Sequence, residues 1–128
     1  MDENHIVLNQ SEWYIMQKLW EQSPRTIMQI YHALEDETGW SKSTVNTLLA
    51  RMTDKKIISY EEGDKAKMYY PLIKREDAAV AETTSLLERV FQGSVSMMVN
   101  TLVRKNALSR QDIEELQELL KNAGEGDK

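Results

Sequence analysis

Cysteine is absent from this 128-residue chain. That excludes disulfides, thiolate metal sites and a cysteine nucleophile together. Also missing is any apolar run near the ~20 residues needed to span a bilayer. The opening residues, MDENHIVLNQ, lack the basic start and apolar segment of a secretory signal, so a cytoplasmic location is expected. No G-x-S-x-G elbow, phosphate-cradling glycine loop or H-E-x-x-H helix occurs. His5 and His32 stand alone, without a second ligand at metal spacing, and suit solvent-facing or packing roles. Glu61-Glu62 and Glu114-Glu115 are charge pairs with no acid–base partner nearby in sequence. No enzyme, cofactor or metal is expected.

What the chain does have is an uneven distribution of charge. The formal net charge is −5. Residues 76–128 carry six basic against ten acidic side chains, whereas residues 42–75 carry eight basic against four acidic. Positive charge is therefore concentrated in one segment. A coating protein that binds nucleic acid everywhere would not look like this, but a localised footprint would.

Hydrophobic spacing divides the first 75 residues into three helices and a hairpin. Asn9 with Glu12 makes a capping box, Leu8 can staple against Trp13, and Trp13, Met16, Leu19 and Trp20 recur at helical spacing. Ser23 and Pro24 interrupt. Thr26 caps a second helix with stripe Ile27, Ile30, Tyr31 and Leu34, ending near Gly39. Ser41 caps a third with stripe Val45, Leu48, Leu49 and Met52. The period then shortens: Ile57–Tyr60 and Ala66–Tyr70 read as strands around a polar turn containing Gly63-Asp64, closed by Pro71. This is the order of a winged helix-turn-helix module, with 61–66 as the wing tip.

From Glu76 onward the pattern is helical again. Stripes run through Val80, Leu86, Leu87, Val90 and Phe91, then Val95, Met98, Val99 and Leu102. A Ser109/Asp112 cap opens a last helix bearing Ile113, Leu116, Leu119 and Leu120, with Gly124 and Gly126 ending it. These helices have little core of their own to cover, so each is expected to bury its stripe against a second copy of the chain. The fold class is mainly α with a small β-hairpin: a winged-helix domain over residues 1–75 and a helical dimerisation domain over 76–128. The candidate dimer contacts are Leu87, Val90, Phe91, Val95, Met98, Val99, Leu102, Ile113, Leu116 and Leu120.

On a wheel of about 100° per residue, the third helix turns Ser43, Asn46, Thr47 and Ala50 away from its apolar stripe, with Thr44 and Arg51 on a flank. A solvated surface would ordinarily carry Glu and Lys. A short, polar, nearly uncharged face instead suits close approach to base edges, since asparagine pairs with adenine and threonine or alanine methyls meet thymine. Lys42, Arg51, Lys55 and Lys56 would take phosphates, and Lys65 and Lys67 on the wing would grip the flanking backbone. Each feature has a structural alternative: serines and threonines cap helices, and a Lys-Lys pair meets the negative end of a helix. Two other readings stay open, a winged-helix module that binds a protein partner and a ligand-gated regulator of the multidrug-response kind.

LNQSEWYIMQKLW, GWSKSTVNTLLARMTDKKII and GSVSMMVNTLVRKNALSRQDIEELQELL together resemble the penicillinase-repressor family, the BlaI/MecI/CopY type, from about Leu8 to Leu120. The resemblance implies a homodimeric repressor bound to an inverted-repeat operator in double-stranded DNA. It places Ser41, Lys42, Ser43, Thr44, Asn46, Thr47 and Arg51 in contact positions. It also implies a membrane sensor-protease pathway that cleaves an Asn-Phe bond in the dimerisation region. The matching position here is Thr101-Leu102, with Asn100 one residue off. Copper-responsive members carry a cysteine-rich hook, and a chain without cysteine cannot sense copper by that chemistry. Lys42 stands where the family often has proline after the capping serine.

Overall fold

Asn9 begins the first helix. Its side chain accepts the Glu12 N–H at 2.9 Å while the Glu12 carboxylate accepts the Asn9 N–H at 3.0 Å, satisfying two of the donors a helix start leaves free. The computed structural model describes residues 6–126, so His5 lies outside the described residues. Helix α1 (Gln10–Glu21) is followed by α2 (Ile27–Thr38), α3 (Lys42–Asp54), β1 (Ile58–Glu62), β2 (Lys67–Pro71), α4 (Arg75–Phe91), α5 (Val95–Arg104) and α6 (Arg110–Gly126). The described residues fall into two compact units that divide between Thr83 and Thr84, inside α4.

In the first unit, α1, α2 and α3 pack around Ile15, Met16, Leu19, Ile30, Leu34, Val45, Leu49 and Met52. Burial of each such side chain contributes roughly 1.5–3 kcal/mol. The α1 stripe differs in one respect from the sequence expectation: Ile15 is fully buried, while Trp13 and Trp20 are only partly so. The two indoles instead meet edge to face at 5.7 Å on the rim. Helix α2 starts with a second capping box, Thr26 and Gln29, and ends at Gly39, whose φ of 70° is the left-handed conformation that a Cβ disfavours.

Strands β1 and β2 pair antiparallel, with Tyr60 opposite Tyr69 and Glu62 opposite Lys67. Pro71 closes the ladder opposite Ile58. A third segment joins this ribbon: Arg25 and Tyr69 exchange backbone hydrogen bonds of 3.0 and 2.8 Å. That pairing ties the α1–α2 connection to the wing. The beginning of α4 also belongs to this unit. Ala78 and Ala81 are buried, Trp20 Nε1 donates to the Ile73 carbonyl at 3.0 Å, and Arg75 lies over the Trp20 ring while bonding Gln17 at 2.7 Å.

The second unit is of a different kind. Beyond Ala81, no described residue is buried. Helices α5 and α6 are amphipathic, yet their stripes are only partly covered: Met98, Val99, Leu102 and Leu116 are half-buried, while Val95 is 56% and Leu120 70% exposed. Helix α5 is capped by Ser94 and ends with Asn106 at φ 56°. The final helix continues through Gly124 to Gly126 rather than ending there. Glycine lowers helix propensity, but it terminates a helix only when it takes up a left-handed cap, and Gly124 does not.

The end of α3 generates a stability prediction. Ile57 N–H bonds the Met52 carbonyl and Lys56 N–H bonds the Thr53 carbonyl, a Schellman ending with Lys56 at φ 66°. A side chain in that conformation costs about 1–2 kcal/mol. Lys56→Gly should therefore raise the unfolding free energy by roughly 0.5–1 kcal/mol in urea titrations. An unchanged or lower value would show that this ending carries no strain.

Candidate nucleic-acid interface

The interface begins with how α3 is started and rolled. Ser41, in extended conformation, accepts the Thr44 N–H at 3.1 Å. The preceding turn is short and braced, since Trp40 N–H donates to Thr38 Oγ1 and the Trp40 ring meets Tyr14 edge to face at 5.7 Å. Val45, Leu49 and Met52 have no exposed surface, which fixes the roll of the helix. Ser43, Asn46, Thr47 and Ala50 are consequently exposed on the opposite side, with Lys42, Thr44 and Arg51 exposed beside them. The first-turn N–H groups that Ser41 does not cap suit an anion.

The wing supplies a second wall. A groove of about 220 Å³ runs between α3 and the ribbon, lined by Asn46, Ala50, Thr53, Asp54, Tyr60, Lys67 and Tyr69. Lys67 Nζ sits 4.3 Å from the centre of the Tyr60 ring, a cation–π contact that holds the ammonium over the aromatic face. Lys65 is exposed in the turn between the strands. Thus the structure brings Asn46 and Lys67 to one groove, an association of residues far apart in sequence. Tyr60 and Tyr69 were not among the expected site residues. Their only sequence signal is β-propensity, which says nothing of a ring beneath a lysine.

Lys55 is placed differently from the expectation. Its ammonium donates to Glu12 Oε2, and Glu12 is 2% exposed. A buried carboxylate is strongly disfavoured without a paired cation, and Lys55 supplies one. Ser41 serves as the α3 cap, with its hydroxyl also 3.2 Å from Thr44 Oγ1. In the second unit, Leu87, Phe91, Met98, Val99, Leu102 and Leu116 are half-buried, while Val90, Val95, Ile113 and Leu120 are exposed. Thr101 is half-buried within α5, its hydroxyl bonded to the Met97 carbonyl at 2.9 Å, so the Thr101-Leu102 bond lies in regular helix. Among the described residues no three His, Cys, Asp or Glu side chains gather as for a metal, and no helix is long and apolar enough to cross a membrane. His32 is exposed, with Nδ1 2.8 Å from Glu35 Oε1.

Three helices, a two-stranded wing and an open polar face on the third helix define a winged-helix DNA-binding architecture. The solved DNA-binding domain of the repressor BlaI has the same fold, with a TM-score of 0.50 at 23% identity over 55% of this chain and 85% of that one. The model of the penicillinase repressor family matches residues 8–122, and the chain belongs to that family, whose members are transcriptional repressors and not enzymes. The methicillin resistance regulatory protein MecI of Staphylococcus aureus (strain N315) is 27% identical over 120 residues, covering 94% of this chain and 98% of that protein. The penicillinase repressor of Bacillus licheniformis is 25% identical over 113 residues, 88% of each chain.

The wing turn provides a test of the groove. Gly63 N–H bonds the Ala66 carbonyl at 2.9 Å, and a Cβ on Gly63 would stand 2.6 Å from that same oxygen. Gly63→Ala should force the turn open and displace Lys65 and Lys67. The expected result is a several-fold loss of duplex affinity by gel shift with the helical circular dichroism signal unchanged. Full retention of affinity would remove the wing from the interface.

Proposed function

We propose that the chain acts in the cytoplasm as a homodimeric transcriptional repressor that occupies a palindromic operator in double-stranded DNA. The observation that carries this reading is the open face of α3, where Ser43, Asn46, Thr47 and Ala50 are exposed opposite a fully buried Val45, Leu49 and Met52. Asparagine, threonine and alanine at that position suit base edges in the major groove. Lys42, Arg51, Lys65 and Lys67 surround them and suit phosphates. Winged-helix residues 1–75 read the DNA, and residues 76–128 pair the two copies through the open stripes of α4, α5 and α6.

Dimerisation doubles the number of groups that meet the duplex. One half-site offers too few phosphate contacts to hold at cellular salt, so two recognition helices enter major grooves about one turn, roughly 34 Å, or a multiple of it apart. Repression is relieved by separating the copies. The family relationship supports a membrane sensor-protease pathway as the inducer, with Thr101-Leu102 as the cleavage position. That bond must leave its helix before a protease can cut it.

The experiment is a gel shift of the full chain on duplex DNA from upstream of its own gene at two salt concentrations. Arg51→Ala and Lys67→Ala should weaken binding to all sequences, each lowering the salt slope by about 0.9 for every phosphate it no longer neutralises. Asn46→Ala should cost roughly 1–3 kcal/mol on the preferred duplex and relax discrimination at one or two base pairs. Salt-independent or absent binding by the unaltered chain would overturn the reading in favour of a protein partner.

A further inference from the structure

Glutamate ordinarily stays at the surface, yet among the described residues of the first unit Glu12 is the buried charged side chain. Its two oxygens have different partners. Oε1 accepts the Asn9 N–H and closes the α1 capping box, while Oε2 accepts the Lys55 ammonium. Lys55 is the C-cap of α3, where a lysine would ordinarily reach for the last carbonyls of its own helix. Here it crosses to another helix, 43 residues away in sequence. The next two residues reinforce the anchor: Lys56 makes the left-handed turn and Ile57 is fully buried.

The pair therefore ties the first turn of α1 to the last turn of the recognition helix. Its strength is asymmetric. Lys55 is half exposed and could be hydrated, but Glu12 is enclosed, and a carboxylate left there without its cation is strongly disfavoured. A DNA phosphate that drew Lys55 away would leave that carboxylate behind. We infer that Glu12 is a positioning residue for DNA recognition: through Lys55 it sets the tilt of α3 against α1, and it withholds Lys55 from the phosphate contacts. The inference rests on the DNA-binding reading above and goes beyond it by assigning one basic residue of the segment to the scaffold.

The test uses the full chain, Lys55→Met, Glu12→Gln and the double variant. Glutamine at position 12 still accepts the Asn9 N–H, so the cap survives while the ion pair is removed. Melting temperature is measured for each, with affinity at two salt concentrations for its own upstream duplex and for a random duplex of equal length. Lys55→Met should lower Tm most, and the double variant should recover about half of that loss or more. The salt slope should be the same in all four. Preference for the upstream duplex over random DNA should fall about tenfold in both single variants. Additive Tm losses would overturn the inference, as would an unchanged preference. So would a Lys55→Met salt slope reduced by about 0.9 per half-site, which would make Lys55 a phosphate ligand. Failure of the unaltered chain to bind either duplex would overturn the proposed function instead, and the Tm cycle would still decide whether Glu12 and Lys55 act as a pair.

Discussion

The rotation of α3 about its own axis is set by Val45, Leu49 and Met52, which leave no surface to solvent. Rotating the helix by a third of a turn would expose at least one of them, and replacing Leu49 with alanine in place costs about 2–5 kcal/mol by cavity formation alone. The outward direction of Ser43, Asn46 and Thr47 follows from that packing and needs no separate explanation. The ends of the helix are held as well: Ser41 caps the start, and the Lys56 turn with buried Ile57 secures the finish. The outward face of a helix pinned at core and ends can be polar and uncharged because it contributes little to folding.

The two units solve opposite problems. The first closes its own core with three helices, a ribbon and the start of α4, so it can hold a surface in place. The second buries no side chain fully and leaves Val90, Val95, Ile113 and Leu120 open to solvent. Helix α4 carries both characters along its length, with Ala78 and Ala81 buried in the first unit and Val90 exposed in the second. Small residues at its beginning permit close packing. The larger Leu86 and Val90 further on are exposed.

Local signals are legible in the sequence and long-range ones are not. The Asn9/Glu12 box, the Thr26 cap and the Gly39 ending depend on residues within four positions of one another, and the roll of α3 on a stripe that recurs every three or four residues, so spacing reveals them. The Arg25–Tyr69 pairing joins a two-sided bridge to a strand formed far downstream, and no periodicity marks it. Glu12 has the spacing of a capping residue and is one, but its second oxygen answers to Lys55, a partner visible only in three dimensions. Ile15 is hidden for the opposite reason: the bulkier Trp13 and Trp20 dominate the stripe, yet rings of that size settle on the rim. Among the site residues, the polar face and its basic flank are readable, while the Tyr60 ring under Lys67 is not.

The most direct measurement of the central claim is an amide and methyl chemical-shift titration of the protein with its upstream duplex. The account predicts the largest shifts along Lys42–Thr47, at Arg51 and in the wing turn from Gly63 to Lys67, with Val45 and Leu49 side-chain methyls little changed. Shifts concentrated instead on the α1–α2 surface around Trp13 and Glu37, with the α3 face silent, would contradict it.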